Sequence, residues 1–442
     1  MSGIFKAYDI RGVYGVELTD AMAFQIGRAV ATLLKPKRFA VGRDMRTHSE
    51  ALFEKFTFAL QQHGVDVINL GAISTPMSYF ANETLAVDGS AMITASHNGP
   101  DWNGFKLCKK NTVPFSQTDM KELQRIIEQN DYDQPPNAMG PFEKYDISAA
   151  YAAHVKAHAQ IERPLKVVAD YANAMGLKEG AVLTELMEVV PLFAELDGTM
   201  PNHEANPLKV ETLAELQARV VAEGADFGIA FDGDADRVGF VDENGQRVSM
   251  DMITALIAQE MLQEEGAGTV LYDLRSSRAV PAVIQEAGGE AKMCRVGHSF
   301  IKKQMRADKA IFGGELSGHY YFRAHFYAES AALAVVYVAN LLSQSGKTLS
   351  EWVAPINRYY ASGEINLKLD DVAAAFATLR ETYGCSKVIE FDGMTFDFGD
   401  WRLNARVSAT EGLFRLNLEA DTAQRMAQKK EEVLTLLSGT GC

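Results

Sequence analysis

The run Ala91-Met92-Ile93-Thr94-Ala95-Ser96-His97-Asn98-Gly99-Pro100, continued by Trp102-Asn103-Gly104-Phe105-Lys106, decides how the chain is read. A short apolar stretch stops abruptly in small and polar residues. An imidazole, an amide, two glycines, a proline and a lysine follow within ten positions of Ser96. An apolar strand entering such a loop presents its hydroxyl at the end of a sheet, where open α/β folds take ligands. A serine hydroxyl needs an activating neighbour to become a good nucleophile, and His97 and Lys106 are the candidates. An ordinary turn with a solvated serine fits the same residues.

Working outward, strands alternate with helices on both sides of this run. Leu18-Thr19-Asp20 offers a cap for an apolar-periodic helix that ends at Lys35-Pro36. Phe39 to Asp44 and Val65 to Leu70 read as strands around a helical stretch through Leu52, Phe53, Phe56 and Leu60. Alternation of this kind implies a sheet with parallel character. The Pro-rich break between about Asn130 and Gly140 reads as a domain boundary. A second module opens with the strand Leu165 to Asp170 and runs from Asp226–Phe231 into Asp232-Gly233-Asp234-Ala235-Asp236-Arg237. A third carries strands at Thr269–Asp273 and Lys292–Val296. It runs through Ala310-Ile311-Phe312 into Gly313-Gly314-Glu315-Leu316-Ser317-Gly318-His319. Each of the three is expected to end where an apolar strand meets a short polar loop, a repeat of architecture and not of letters. From about Tyr359 the texture changes to alternating, antiparallel-like strands and a closing helix from about Thr422 to Leu437. The fold class expected is therefore α/β: three similar α/β domains with mixed sheets, a C-terminal α+β domain, and a site in the central cleft. The boundaries expected are 1–142, 143–247, 248–358 and 359–442.

The bulk numbers agree with several domains. A chain of 442 residues exceeds what one core usually supports. A formal net charge of −15 disfavours nucleic acid and anionic membranes as partners, but not a small anion held by local bases. Cys108, Cys294, Cys385 and Cys442 show no paired spacing, which suits a reducing compartment. The first residues lack the apolar stretch of a secretory leader, and the run Ala331–Leu342 is too short to span a bilayer. A cytoplasmic location is expected.

Asp232, Asp234 and Asp236 alternate, so an extended or looped backbone can turn all three carboxylates one way. Three anions this close repel unless a cation binds, and an all-oxygen set suits Mg²⁺ or Ca²⁺. An EF-hand would use Glu243 at its twelfth position, but its sixth, normally glycine, is Arg237, and a strand precedes the loop. A divalent site is preferred over a solvated acidic loop. Glu315, Ser317 and His319 bring acceptor, hydroxyl and imidazole together among glycines; a tight turn beside a core histidine is the bland alternative. Arg406, Ser408 and Thr410, with Arg415 beyond, suit bidentate phosphate binding, or a strand end with exposed charge.

Thr94-Ala95-Ser96-His97-Asn98, followed by Asn103-Gly104-Phe105-Lys106, resembles the phosphoserine loop of the α-D-phosphohexomutase family, closest to its bacterial phosphomannomutase and phosphoglucomutase branch. The family usually has proline directly after the asparagine and tyrosine before Asn-Gly; here Gly99-Pro100 and Trp102 stand there. Four further stretches resemble family motifs, in the family's order. Tyr8-Asp9-Ile10-Arg11-Gly12 is similar to its opening, and Asp232 to Arg237 to its metal loop. Glu315-Leu316-Ser317-Gly318-His319 is similar to its sugar-specificity loop, and Arg406 to Gly412 to its phosphate loop. Val296-Gly297-His298-Ser299 also resembles a family segment, and Arg275 stands where many relatives carry lysine. In the phosphate loop, Ala409 replaces asparagine and Gly412 replaces proline.

The resemblance implies an intramolecular phosphotransferase that interconverts hexose 6-phosphates and hexose 1-phosphates. Mannose is the expected sugar, with glucose as a further substrate. Phospho-Ser96 and a 1,6-bisphosphate would be intermediates. It implies Mg²⁺ on Asp232, Asp234, Asp236 and the Ser96 phosphate, with hexose 1,6-bisphosphate as activator. Ser96, His97, Lys106 and Arg11 would be catalytic. Tyr8, Arg237, Arg275, His298, Glu315, Ser317 and His319 would bind substrate, and Arg406, Ser408, Thr410 and Arg415 would bind its phosphate. The partners implied are small hexose phosphates, with the chain a monomer or a homo-oligomer. A glucosamine phosphate substrate and a non-catalytic sugar-phosphate sensor are the alternatives.

Overall fold

Four sheets, each built from one stretch of sequence, set the frame for the polar loops. The computed structural model describes residues 3–385, 387–408 and 412–438. The first sheet runs in the order Ile10–Val13, Trp102–Lys109, Gly89–Ile93, Arg38–Arg43, Asp66–Ala72 and Phe142–Lys144, with Val113–Pro114 beside Trp102–Lys109. Its central strands are parallel, and Trp102–Lys109 returns antiparallel. The second and third sheets, five strands each, repeat that mixture. The fourth, also five-stranded, is antiparallel throughout: Tyr360–Leu367, Phe414–Ala420, Trp401–Val407, Met394–Asp397 and Lys387–Glu390.

The polar loops do not end their modules. Gly89–Ile93 pairs antiparallel with Trp102–Lys109 across the Ser96 loop, and Phe227–Phe231 pairs with Val238–Asp242 across the aspartate loop. Phe312–Gly314 pairs with Tyr320–Phe322 across the Glu315 loop. Each loop is thus the tip of a hairpin that returns one strand to its own sheet. This shared hairpin is what makes the sheets mixed. A hairpin tip is short and its flanks are hydrogen-bonded, so it holds a side chain more firmly than a free strand end would.

Local chemistry sets several ends. Thr19 caps the helix Asp20–Leu34 by accepting from Met22 N, and Lys35 closes it at φ 49° before Pro36. The strand read at 292–296 lies at Glu290–Cys294, because the chain must turn at Gly297, φ 120°, to start the helix His298–Asp308. Ala331–Ser345 is a helix buried on nearly every face and capped by Ser330. No described helix is long and apolar enough to cross a membrane.

One core cluster joins residues of the first three sheets, including Ile68, Val167 and Phe312, to that buried helix. The fourth sheet has its own core around Leu379, Phe396, Trp401 and Phe414. At the junction of the first three sheets lies Glu179, fully buried. It accepts from Ser74 Oγ and, at 2.7 Å, from the Tyr151 hydroxyl. Burial pushes its carboxyl up to about 7, against the hydrogen bonds from Ser74 and Tyr151. The folded state therefore binds a proton that the unfolded chain releases near its ordinary value. Stability from this group is full below that value and is lost as pH rises through about 7. Glu179→Gln is expected to lose less stability than the parent between pH 5 and pH 8, by on the order of 3 kcal/mol. Parallel pH-dependent unfolding curves for the two proteins would contradict this.

Candidate active site

The Ser96 and aspartate hairpins meet tip to tip. Ser96 is fully buried and lies at φ 50°, a left-handed conformation that non-glycine residues adopt only under local constraint. Its Oγ donates to Asp232 Oδ2 at 2.7 Å and lies 3.3 Å from His97 Nδ1. A methyl group at Gly233 would stand 2.3 Å from the Ser96 carbonyl oxygen, so only glycine allows this approach.

Arg46 holds the serine loop from behind. Its guanidinium donates to the carbonyls of Ser96 at 2.8 Å, Asn98 at 2.6 Å, Gly99 at 2.6 Å and Trp102 at 3.0 Å. Asp44 accepts from its Nε at 3.0 Å, and both side chains are wholly buried. Asp44 also accepts from Ser49 Oγ, and Asn103 donates to Ser49 Oγ at 2.9 Å. Loop, strand end and helix start are thereby one polar network. The sequence reading treated Phe39 to Asp44 only as a strand. The signal available was a second arginine, Arg46, directly after a strand that enters the same sheet edge.

Asp232, Asp234 and Asp236 offer carboxylate oxygens within 4.8 Å of one another, all buried. Three buried anions need positive charge nearby. Lys106 Nζ supplies part of it, 2.6 Å from Asp234 Oδ2 and 2.5 Å from Asp236 Oδ2. Burial disfavours this ammonium, but Asp234, Asp236 and Asp232 outweigh it and raise its affinity for the proton. Burial and repulsion from Asp234 and Asp236 push the Asp232 carboxyl up to about 7. Thr75 Oγ1 donates to Asp234 Oδ2 at 2.5 Å, which ties the first sheet to this loop; it is a second residue the sequence reading did not single out. Asp234 Oδ1 is buried with no hydrogen-bond partner among the described residues. An all-oxygen set with residual negative charge and an unused buried oxygen fits a hard divalent cation, so the triad can hold a metal ion.

A cavity of about 390 Å³ opens beside these tips, lined from all four sheets. Tyr8 packs edge-on to His298 at 4.7 Å, and Arg11 donates to Asp9 Oδ2 at 2.8 Å and Asn98 Oδ1 at 2.9 Å. Arg237 Nε lies 3.1 Å from His319 Nε2 and 3.7 Å from Asp232. Glu315 accepts from Gly297 N at 2.9 Å and from the Tyr321 hydroxyl at 2.7 Å. Ser317 Oγ lies 2.9 Å from His319 Nδ1. Against burial and the Arg237 charge, Asp236 and Glu315 raise His319 to about 9. Burial, Arg237 and Arg11 hold His97 well below the ordinary imidazole value. His298, partly buried and 3.8 Å from Glu329, is likewise held well down, by desolvation and then Lys302 and Lys106.

The fourth sheet brings arginines to the cavity. Arg406 and Arg415 lie directly opposite each other on neighbouring strands. Arg275, anchored on Asp273 at 2.7 Å, reaches toward them from the third sheet. Arg406 Nε is buried without a partner among the described residues. Ser408 is buried, and its N–H donates to Leu413 O at 2.8 Å. Thr410 and Ala409 lie outside the described residues. Gly412 is at φ 66°, a conformation closed to the proline that the family motif carries there. Of the sequence-derived residues, those on the first three sheets and Arg415 line the cavity or the buried loops touching it. Arg406 reaches it through Glu364.

The comparisons agree with this layout. Residues 2–134, 149–245 and 249–359 match phosphoglucomutase/phosphomannomutase alpha/beta/alpha domains I, II and III in turn. The chain is 38% identical to a phosphomannomutase of Salmonella montevideo over 98% of both proteins. It is 36% identical to a phosphomannomutase of Methanocaldococcus jannaschii, over 98% of this chain and 97% of that one. A solved phosphoglucomutase/phosphomannomutase family protein from Burkholderia thailandensis superposes with a TM-score of 0.92 at 29% identity, covering 100% of this chain and 98% of its own. With three domain types matched in order and identity above one third along nearly the whole length, the chain belongs to the phosphoglucomutase/phosphomannomutase family.

Proposed function

We propose that this enzyme interconverts hexose 6-phosphate and hexose 1-phosphate, with mannose as its sugar and glucose as a second substrate, through phospho-Ser96. The observation that carries the reading is the Ser96 Oγ–Asp232 contact of 2.7 Å, which joins a strained hydroxyl to a carboxylate triad beside a cavity rich in bases. In the first half-reaction the free sugar hydroxyl attacks the phosphorus on Ser96. A P–O bond to the sugar forms, the P–O bond to Ser96 breaks, and a hexose 1,6-bisphosphate results. The proton leaves the sugar hydroxyl, and Ser96 Oγ recovers one. The bisphosphate turns over within the cavity, and Ser96 takes back the other phosphoryl group by the reverse steps.

His97, Lys106 and Arg11 handle protons and orient the serine. Glu315 and Ser317 hold the sugar in either orientation, with Tyr8, Arg237, Arg275, His298 and His319 around it. Arg406, Ser408, Thr410 and Arg415 hold the phosphate that is not reacting. Asp232, Asp234 and Asp236, with the Ser96 phosphate, would hold Mg²⁺, which supplies charge neutralisation to the transferring group when bound. Hexose 1,6-bisphosphate would charge Ser96 for the first turnover. The four sheets are read as four domains with the boundaries expected from sequence, in a cytoplasmic enzyme.

Peptide mapping tests this. After incubation with glucose 1,6-bisphosphate and Mg²⁺, one phosphoryl group is expected on the peptide containing Ser96. If that group is labelled, the label should appear in mannose 6-phosphate after mannose 1-phosphate is added, while Ser96 takes up the sugar's own phosphoryl group. A chain that binds these sugars but neither acquires nor passes on the group would be a sensor. Faster turnover of glucosamine 1-phosphate than of mannose 1-phosphate would replace the sugar assigned here.

A further inference from the structure

Arg406 and Arg415 face each other across a strand pair, and Arg275 approaches from the third sheet. Like charges directly opposed on a sheet repel. Among the described residues, Glu364 is a carboxylate that reaches all three arginines. Glu364 Oε2 lies 3.2 Å from Arg406 and 3.7 Å from Arg275, and Glu364 Oε1 lies 3.3 Å from Arg415. Its position follows from the backbone. The strand Tyr360–Leu367 shifts register against Phe414–Ala420 between Ala361 and Glu364, with Gly363 at φ 68°. A bulge of this kind re-aims the next side chain, here toward the arginines.

The geometry points to Glu364 as a resident anion that occupies the phosphate-binding arginines of the empty enzyme and sets the selectivity for sugar phosphates over inorganic phosphate. The inference rests on Arg406 and Arg415 being the phosphate site proposed above. A carboxylate offers one negative charge and two oxygens where a phosphate offers nearly two charges and three oxygens, so the match is incomplete. The buried Arg406 Nε, without a partner among the described residues, is the part left over. An incoming phosphate must displace Glu364 or accept its repulsion. A sugar phosphate gains the Glu315 and Ser317 contacts in exchange; a bare phosphate gains nothing comparable.

Glu364 has somewhere to go. Its side chain is 25% exposed. It stands between the 390 Å³ cavity and a neighbouring one of about 590 Å³, which Lys209 and Arg247 line. Swinging out therefore moves the carboxylate into a wider space where Lys209, Arg247 and Arg402 stand alongside Asp251 and Glu419.

Inorganic phosphate is the probe, as a competitive inhibitor of the phosphorylated enzyme against mannose 1-phosphate. Glu364→Gln is expected to bind inorganic phosphate about tenfold more tightly, through loss of like-charge repulsion, while KM for the sugar phosphate falls by less. General damage to the site would weaken both, so tighter binding separates the two explanations. Unchanged or weaker phosphate inhibition, in a variant that melts like the parent, overturns the inference. If Glu364→Gln does not fold, Glu364→Asp, which withdraws the carboxylate by one methylene, should shift inhibition in the same direction. In parallel, Arg406→Lys should weaken phosphate inhibition. If it does not, the phosphate site itself is misassigned and the inference about Glu364 falls with it. A normal Arg406→Lys effect with an unresponsive Glu364→Gln overturns the inference alone.

Discussion

Ser96→Ala is expected to lower turnover by at least about 10³-fold, and to abolish exchange of labelled phosphate between substrate and protein. The serine Oγ is the only hydroxyl that meets the aspartate triad from the Ser96 hairpin, through its 2.7 Å bond to Asp232. In the proposed mechanism, removing it takes away the atom that carries the phosphate, not merely a contact that lowers a barrier. The fold should survive. Alanine keeps the same left-handed backbone strain, and the clamp from Arg46 acts on main-chain carbonyls that the substitution leaves in place. Substrate binding should also survive, because the arginines and the Glu315 hairpin are untouched. The expected result is thus a well-folded protein that binds hexose phosphate and cannot turn it over. Near-normal turnover of mannose 1-phosphate by Ser96→Ala would remove phosphoserine from the mechanism, and the family's activity would need another carrier in this chain.

Much of this was legible in order along the chain, for a physical reason. The Ser96, Asp232 and Glu315 loops are hairpin tips, so each compresses its chemistry into six or so neighbouring positions that can be read together. Arg46 and Thr75 could not be read in that way. Their partners are 50 and 159 positions away, and their meaning comes from contacts made only after the sheets assemble. Glu364 was read only as part of an alternating strand. Alternation gives the face of a side chain but not the register shift that aims this one at the arginines. The expectation that modules end at their loops failed for the same reason. Trp102 to Lys109 does not look like the return arm of a hairpin until it is seen hydrogen-bonded to Gly89–Ile93.

Replacing Arg46 should have the largest effect of any change outside the cavity. Arg46→Met leaves Asp44 as an unpaired buried carboxylate and strips four loop carbonyls of their common donor. Breaking a buried pair from one side costs about 3–5 kcal/mol, enough to lower the melting temperature markedly. Arg46→Lys separates stability from catalysis. A lysine keeps the charge beside Asp44, so most of the stability should remain. An ammonium has three donors and no planar fork, so it cannot serve four carbonyls and a carboxylate at once. The Ser96 loop then loses its fixed shape, and a displacement of Oγ near 1 Å costs about 10²-fold in a reaction that depends on positioning. The expected signature is a kcat lower by about that factor, with KM for mannose 1-phosphate little changed, since Arg46 does not itself line the cavity and holds only main-chain carbonyls of the loop. Slow transfer in a single turnover from phospho-Ser96 would locate the loss in the chemical step. Wild-type kcat in Arg46→Lys would mean that the loop is shaped by the Asp44 and Asn103 network without the arginine fork.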